Sequence, residues 1–127
     1  MSPIYLDTHV VIWLGQKKQG KLSRKAKSLI EHNEICVPAM VELELQVLNE
    51  IGKIKVIPAE ILASLRDILM PQLSMRPFFD ICDKAKSLSW TRDLFDRLIV
   101  AEAACAGNAP LITADANIHA HYKKAVW

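Results

Sequence analysis

No stretch of this sequence approaches the roughly 20 consecutive apolar residues that span a bilayer. The opening MSPIYLD has neither the basic n-region nor the apolar h-region of a secretory signal, so the default expectation is a cytoplasmic protein with no membrane partner. Cysteine is sparse. Cys36, Cys82 and Cys105 are odd in number, form no C-x-x-C pair and lie among apolar neighbours, which argues for reduced thiols packing as small hydrophobes. An excess of one charge sign is missing too: the formal net charge of +2 is too small to announce a polyanionic partner. Lys17, Lys18, Lys21, Arg24, Lys25 and Lys27 do cluster, either as a phosphate-attracting surface or as the solvated side of a helix whose other side carries Leu22, Ala26, Leu29 and Ile30. The second use is the commoner one. No internal repeat, low-complexity tract or linker divides the chain, so residues 1–127 are expected to form one domain around a single core.

What is present is a succession of short apolar runs separated by helical patterns. "PIYLD" reads as a strand ending at Asp7, "EICVP" as a second strand and "APLITAD" as a third. Between them the spacing predicts a helix over 22–32, one from Pro38 to the stop at Gly52, others near 59–70 and 78–88, and a long one ended by Gly107-Asn108. "ANIHAHY" is a short helix or turn. Apolar strands alternating with helices imply an α/β fold: a three-layer α/β/α sandwich around a central, mainly parallel sheet. The helical pair around 59–88, flanked by Pro58, Pro71 and Pro77, is the piece expected to stand apart.

Acids mark the ends of these elements. Ligands of open α/β sheets bind outside the carboxyl ends of the strands, where Asp7 and Asp115 fall. Taken singly, each is more often a helix cap or turn residue than a ligand. "TRDLFDRLIVAEAACAG" sets Asp93 and Asp96 at the head of an apolar helix, Asp93 as a cap or an accessory acid and Asp96 along the apolar side. On the helix from Pro38, the wheel puts Val41, Leu43, Leu45, Val47, Leu48 and Ile51 on one arc with Glu44 near its centre, and Glu42 on the polar side. A carboxylate there requires a buried basic partner, a snorkelling edge position or a cation. Asp7, Glu44, Asp96 and Asp115 can converge, with Asp93 as a fifth, and such a group repels itself unless a cation intervenes. Hard oxygen donors without a His or Cys pattern select Mg²⁺ or Mn²⁺. His9 reads as a helix-starting polar residue. Trp13, Trp90 and Trp127 are too scattered to suggest a stacking platform.

"YLDTHVVIWL", "VPAMVELELQVLNEIGKI", "SWTRDLFDRLIVAEA" and "PLITADANI", in this order and spacing, resemble the PIN-domain family, most closely the VapC-like toxin ribonucleases of toxin–antitoxin pairs. The resemblance implies an endoribonuclease acting on single-stranded or looped RNA, leaving 5′-phosphate and 3′-hydroxyl ends. It further implies Mg²⁺ or Mn²⁺ as cofactor, a cognate antitoxin as partner and a homodimer. It assigns metal-binding and catalytic roles to Asp7, Glu44, Asp96 and Asp115, with Asp93 accessory. Thr8 and Thr113 occupy the family's hydroxyl positions, and Arg97 would touch the phosphate backbone or bridge an acid. The chain departs from the subgroup's D-P-F-D-R pattern with Leu94 in place of proline, and Met40 and Val41 replace smaller or polar residues. Two rival readings are a non-catalytic module whose acidic pocket holds a structural metal or a partner's Arg, and an aspartyl phosphatase using Asp7. The latter needs a second acid two residues on, where His9 stands.

Overall fold

Ile4, Tyr5 and Leu6 are apolar without alternation, a pattern suited to a strand buried on both faces, and they form β1 (Ile4–Leu6) at the centre of the sheet. The computed structural model describes residues 3–127, with Leu73 described through its backbone alone. Among the described residues the sheet has five strands, all parallel, in the order β3-β2-β1-β4-β5. β2 (Ile35–Val37) and β4 (Leu111–Ile112) flank β1, and all their residues are buried. The edges are β3 (Gln72–Leu73) and β5 (Ala125–Val126). Helices cover both faces, as expected for an α/β/α sandwich.

Three of the four acid-bearing helices start where the sequence places an acid. α1 (Thr8–Gly15) follows β1 directly and is capped by Asp7, whose side chain accepts from the Thr8 N–H. α6 (Leu94–Cys105) is capped by Asp93 and α7 (Ala116–His121) by Asp115. The remaining helices are α2 (Arg24–His32), capped by Ser23, α3 (Ala39–Glu50), α4 (Pro58–Ile68) and α5 (Phe78–Ala85). The basic run lies on the outward side of α2 and the turn before it, while Leu22, Ala26 and Ile30 are buried.

Two expectations need correction. The helical pair does not stand apart, because α4 packs against α1 through buried Ile61 and Leu65, and β3 between α4 and α5 joins the sheet. α5 packs on α6 through Ile81, Ala85 and Ala101. The apolar arc of α3 is also narrower than the wheel implies. Val41 and Leu45 are buried, whereas Leu43 is 51% and Ile51 61% exposed.

Leu94 at the first position of α6 is 67% exposed, and the preceding Asp93 has extended backbone (φ −70, ψ 113) compatible with a following proline. The two N–H groups taken up by the Asp93 side chain belong to Phe95 and Asp96. Leu94→Pro is therefore expected to raise stability by about 0.5–1 kcal/mol through the unfolded chain, read as a higher denaturation midpoint with an unchanged slope.

Candidate active site

Strand order places the site. From β1 the chain builds outward to β2 and β3 on one side, and later to β4 and β5 on the other, so the direction of building reverses between β1 and β4. Open α/β sheets leave a crevice outside the carboxyl ends of the strands at such a point. The register pairs Leu6 with Ile112, which brings Asp7 level with Thr113, and the Asp7 N–H donates to the Ile112 carbonyl at 3.0 Å.

The crevice is an open pocket of about 370 Å³ lined by Asp7, Glu44, Asp93, Asp96 and Asp115, with His9 and Trp13 at its side. Asp7 is 6% exposed and both its oxygens are engaged: Oδ1 accepts from the Thr8 N–H at 2.8 Å and Oδ2 from the Thr113 hydroxyl at 2.6 Å. The Thr8 hydroxyl donates to Glu44 Oε1, tying α1 to α3. The Thr113 hydroxyl also accepts from the Asp115 N–H at 3.1 Å. Both threonines thus orient carboxylates. Asp115 Oδ1 accepts from the Ile118 N–H at 2.9 Å, and Asp93 Oδ1 accepts from the N–H groups of Phe95 and Asp96 at 2.9 and 3.2 Å. Asp93 and Asp115, both in the pocket lining, each use only Oδ1 for capping. Three helix N-termini meet here, and their positive ends favour both the acids and an incoming phosphate.

Burial and crowding oppose ionisation of Asp7, Glu44 and Asp96. Desolvation raises Asp7, against the hydrogen bonds from Thr113 and Thr8 that favour its charged form. Glu44 is raised by burial first, then opposed by its bond from Thr8 and pushed further by Asp7 and Asp93. Asp96 is raised to about 7, by burial and then by the charges of Asp93, Asp7, Asp115 and Glu44. No Lys or Arg lines the pocket: His9 at its side is the basic group whose charge favours ionised Asp7 and Glu44, and the ion pair among the described residues, Lys86 with Asp83, lies on the outer surface.

A hard divalent cation is the partner such a donor set fits, since it offers carboxylate oxygens and no thiolate. Among the described residues no three His, Cys, Asp or Glu side chains close on a common point at ligand spacing. An open pocket of splayed carboxylates suits an ion that keeps several of its waters, as Mg²⁺ does, better than a dehydrated protein cage.

Arg97 lies elsewhere than expected. Its Nε donates to the Ala85 carbonyl at 2.8 Å, and its two terminal nitrogens donate to Thr91 and Lys86 carbonyls at 3.3 Å each. The guanidinium braces the C-terminus of α5 against α6, where a cation suits the helix dipole, and reaches neither an acid nor the pocket. No sequence pattern singles out Glu102. It is 2% exposed, and its Oε1 accepts from the Ala39 N–H at 3.4 Å, at the start of a helix whose own cap residue, Pro38, has no side chain to offer. His9 and Trp13, read from the sequence as a helix start and a scattered aromatic, both line the pocket. Their spacing of four residues, which puts them on one face of α1, was the available signal.

The PIN domain family model matches residues 4–124. Among solved structures, the chain is similar to the crystal structure of VapBC2 from Rickettsia felis bound to a DNA fragment from their promoter, with 20% identity, a TM-score of 0.63, and coverage of 97% of this chain and 95% of that one. No curated protein sequence matches the chain.

Proposed function

The chain belongs to the PIN-domain family, and from that premise we propose that residues 1–127 form a divalent-metal-dependent endoribonuclease domain cleaving single-stranded or looped RNA, the toxin of a toxin–antitoxin pair. The observation that carries the proposal is that five carboxylates line one pocket at the switch point of the sheet, with no Lys or Arg in its lining. Asp7, Glu44, Asp96 and Asp115 would hold Mg²⁺ or Mn²⁺, with Asp93 assisting through its free oxygen. Bound there, the cation would acidify a water molecule and neutralise charge on the scissile phosphate. The chain's own contribution is orientation. Thr113 and the Thr8 N–H fix Asp7, the Thr8 hydroxyl fixes Glu44, and Asp115, held by the Ile118 N–H, keeps one oxygen to align the attacking water.

Leu43 and Leu94, each next to a pocket acid, are 51% and 67% exposed, and Phe79 is 91% exposed. These apolar side chains support the rest of the reading, a small antitoxin and a second copy of the chain as partners in the cytoplasm. Among the described residues no helix is long and apolar enough to cross a membrane.

The test is cleavage of a mixed RNA pool rich in single strands, with Mg²⁺ or Mn²⁺ and with EDTA. Cleavage that EDTA abolishes and Mn²⁺ restores is expected. Mn²⁺ binding by folded protein without cleavage of any pool member would instead favour the non-catalytic module, and labelling of Asp7 by a phosphate donor would favour the phosphatase.

A further inference from the structure

A second groove, of about 600 Å³, opens beside the acidic pocket and shares two residues with it, His9 and Trp13. Its lining also includes Lys18, Lys53 and Lys55, all exposed, and no carboxylate lines it among the described residues. These lysines come from two distant parts of the chain. Lys18 sits just past α1, its N–H donating to the Trp13 carbonyl at 2.7 Å. Lys53 and Lys55 follow the turn at Gly52 (φ +79), where a left-handed residue ends α3 and the Lys53 N–H returns to the Leu48 carbonyl at 2.9 Å. The Asn49 amide then donates to the Ile54 carbonyl at 3.2 Å and reaches the Val56 carbonyl at 3.4 Å, which holds the lysine-bearing loop against α3.

Between the acids and the lysines stands an aromatic row. His9 lies 6.0 Å from Trp13, and Trp13 lies 5.8 Å from Trp127, centroid to centroid, both pairs tilted. Trp13 is half-buried, so one side is anchored in the core while the other lines both cavities. A carboxylate pocket through which a phosphate passes, an aromatic side chain beside it and lysines beyond form the combination that holds a nucleic-acid strand, because bases stack on rings and phosphates pair with cations.

We propose that this groove is the substrate track for RNA flanking the cleavage point: Trp13 stacks a base next to the scissile phosphate, and Lys18, Lys53 and Lys55 hold the phosphates beyond it. The inference rests on the nuclease reading and adds to it the path of the strand. Sequence preference at the stacked position would follow from stacking strength, which is weak and base-tolerant.

Binding isolates the track from the chemistry. Fluorescein-labelled single-stranded RNA is titrated by anisotropy at several salt concentrations into the cleavage-impaired Asp96→Asn protein, alone and combined with Lys53→Gln/Lys55→Gln, Trp13→Ala or Trp13→Phe. The lysine pair should weaken binding about tenfold at low salt and flatten the slope of log K against log salt by about 1.4, two phosphates at ~0.7 each. Trp13→Ala should weaken binding by about tenfold with the salt slope unchanged, and Trp13→Phe should restore most of it. The lysines are exposed, so the first variant reports binding even if Trp13→Ala lowers stability. Unchanged affinity and slope for the lysine pair, with cleavage by the wild type intact, would overturn the track and leave the nuclease standing. A wild type that neither binds nor cleaves RNA would overturn both.

Discussion

Asp96→Asn should cut RNA cleavage by about 10²–10³-fold in kcat, the order seen when one preorganised electrostatic group is lost from an active site. The same substitution should make the metal-free protein more stable at pH 8. The carboxyl is displaced from 3.8 to about 7 in the folded chain, by burial first and then by four neighbouring acids. Between those two values the folded chain keeps a proton that the unfolded chain has lost, so this group's effect on stability becomes less favourable as pH rises through the window. Above about 7 the penalty is complete, and Asn escapes it because it does not ionise. After allowance for solvent at an open pocket the gain is roughly 1–2 kcal/mol, or about 5 °C in Tm at pH 8, shrinking as pH falls toward 4. Saturating Mg²⁺ or Mn²⁺ should invert the order, stabilising the wild type more than the variant. Melting curves at pH 5 and 8, with and without metal, check this. Equal metal-free stability at both pH values would mean that burial and the neighbouring acids do not hold the proton on Asp96 as their placement implies.

Gly15→Ala is expected to destabilise the protein by about 2–3 kcal/mol, although helix propensity alone favours alanine over glycine by roughly 1 kcal/mol. A Cβ at Gly15 would fall 2.6 Å from Ile61 Cγ2 and 2.7 Å from the Ile61 carbonyl oxygen. The side-chain atom could turn aside, but the carbonyl belongs to the backbone of α4, and relief requires moving one helix off the other. α1 carries Asp7 at its cap and Thr8, His9 and Trp13 in its body, so its displacement should also weaken Mn²⁺ binding. Gly20→Ala is the internal control, since a Cβ there meets nothing within 4 Å, and it should change stability by no more than about 0.5 kcal/mol. Urea midpoints for the two variants decide the matter, and a neutral Gly15→Ala would show that α1 and α4 are not in close contact.

Asp7, Asp93 and Asp115 were legible because capping is a local event: an acid before an apolar run accepts N–H groups one to three residues ahead, and no distant residue is needed. Glu44 was legible for a different reason, since a carboxylate beside Val41, Leu45 and Leu48 on α3 demands a partner wherever that helix packs. Leu43, predicted inward by the same wheel, came out exposed because the width of a buried arc depends on what covers it. β3 and β5 gave no signal. Each has two residues, too few for any periodicity, and each exists because a neighbouring strand offers its free edge.

Sequence by itself thus determined the alternation of strands and helices, the acids that start three helices and the one acid stranded on an apolar face, all of which are set within a turn or two of chain. Only tertiary structure decided that Thr113 would hold Asp7 from 106 residues away, that Arg97 would clamp carbonyls of α5 instead of an acid, and that Trp13 would meet Trp127 beside lysines from two loops. Those choices depend on strand register and helix packing, which join residues whose separation along the chain leaves no local pattern to read.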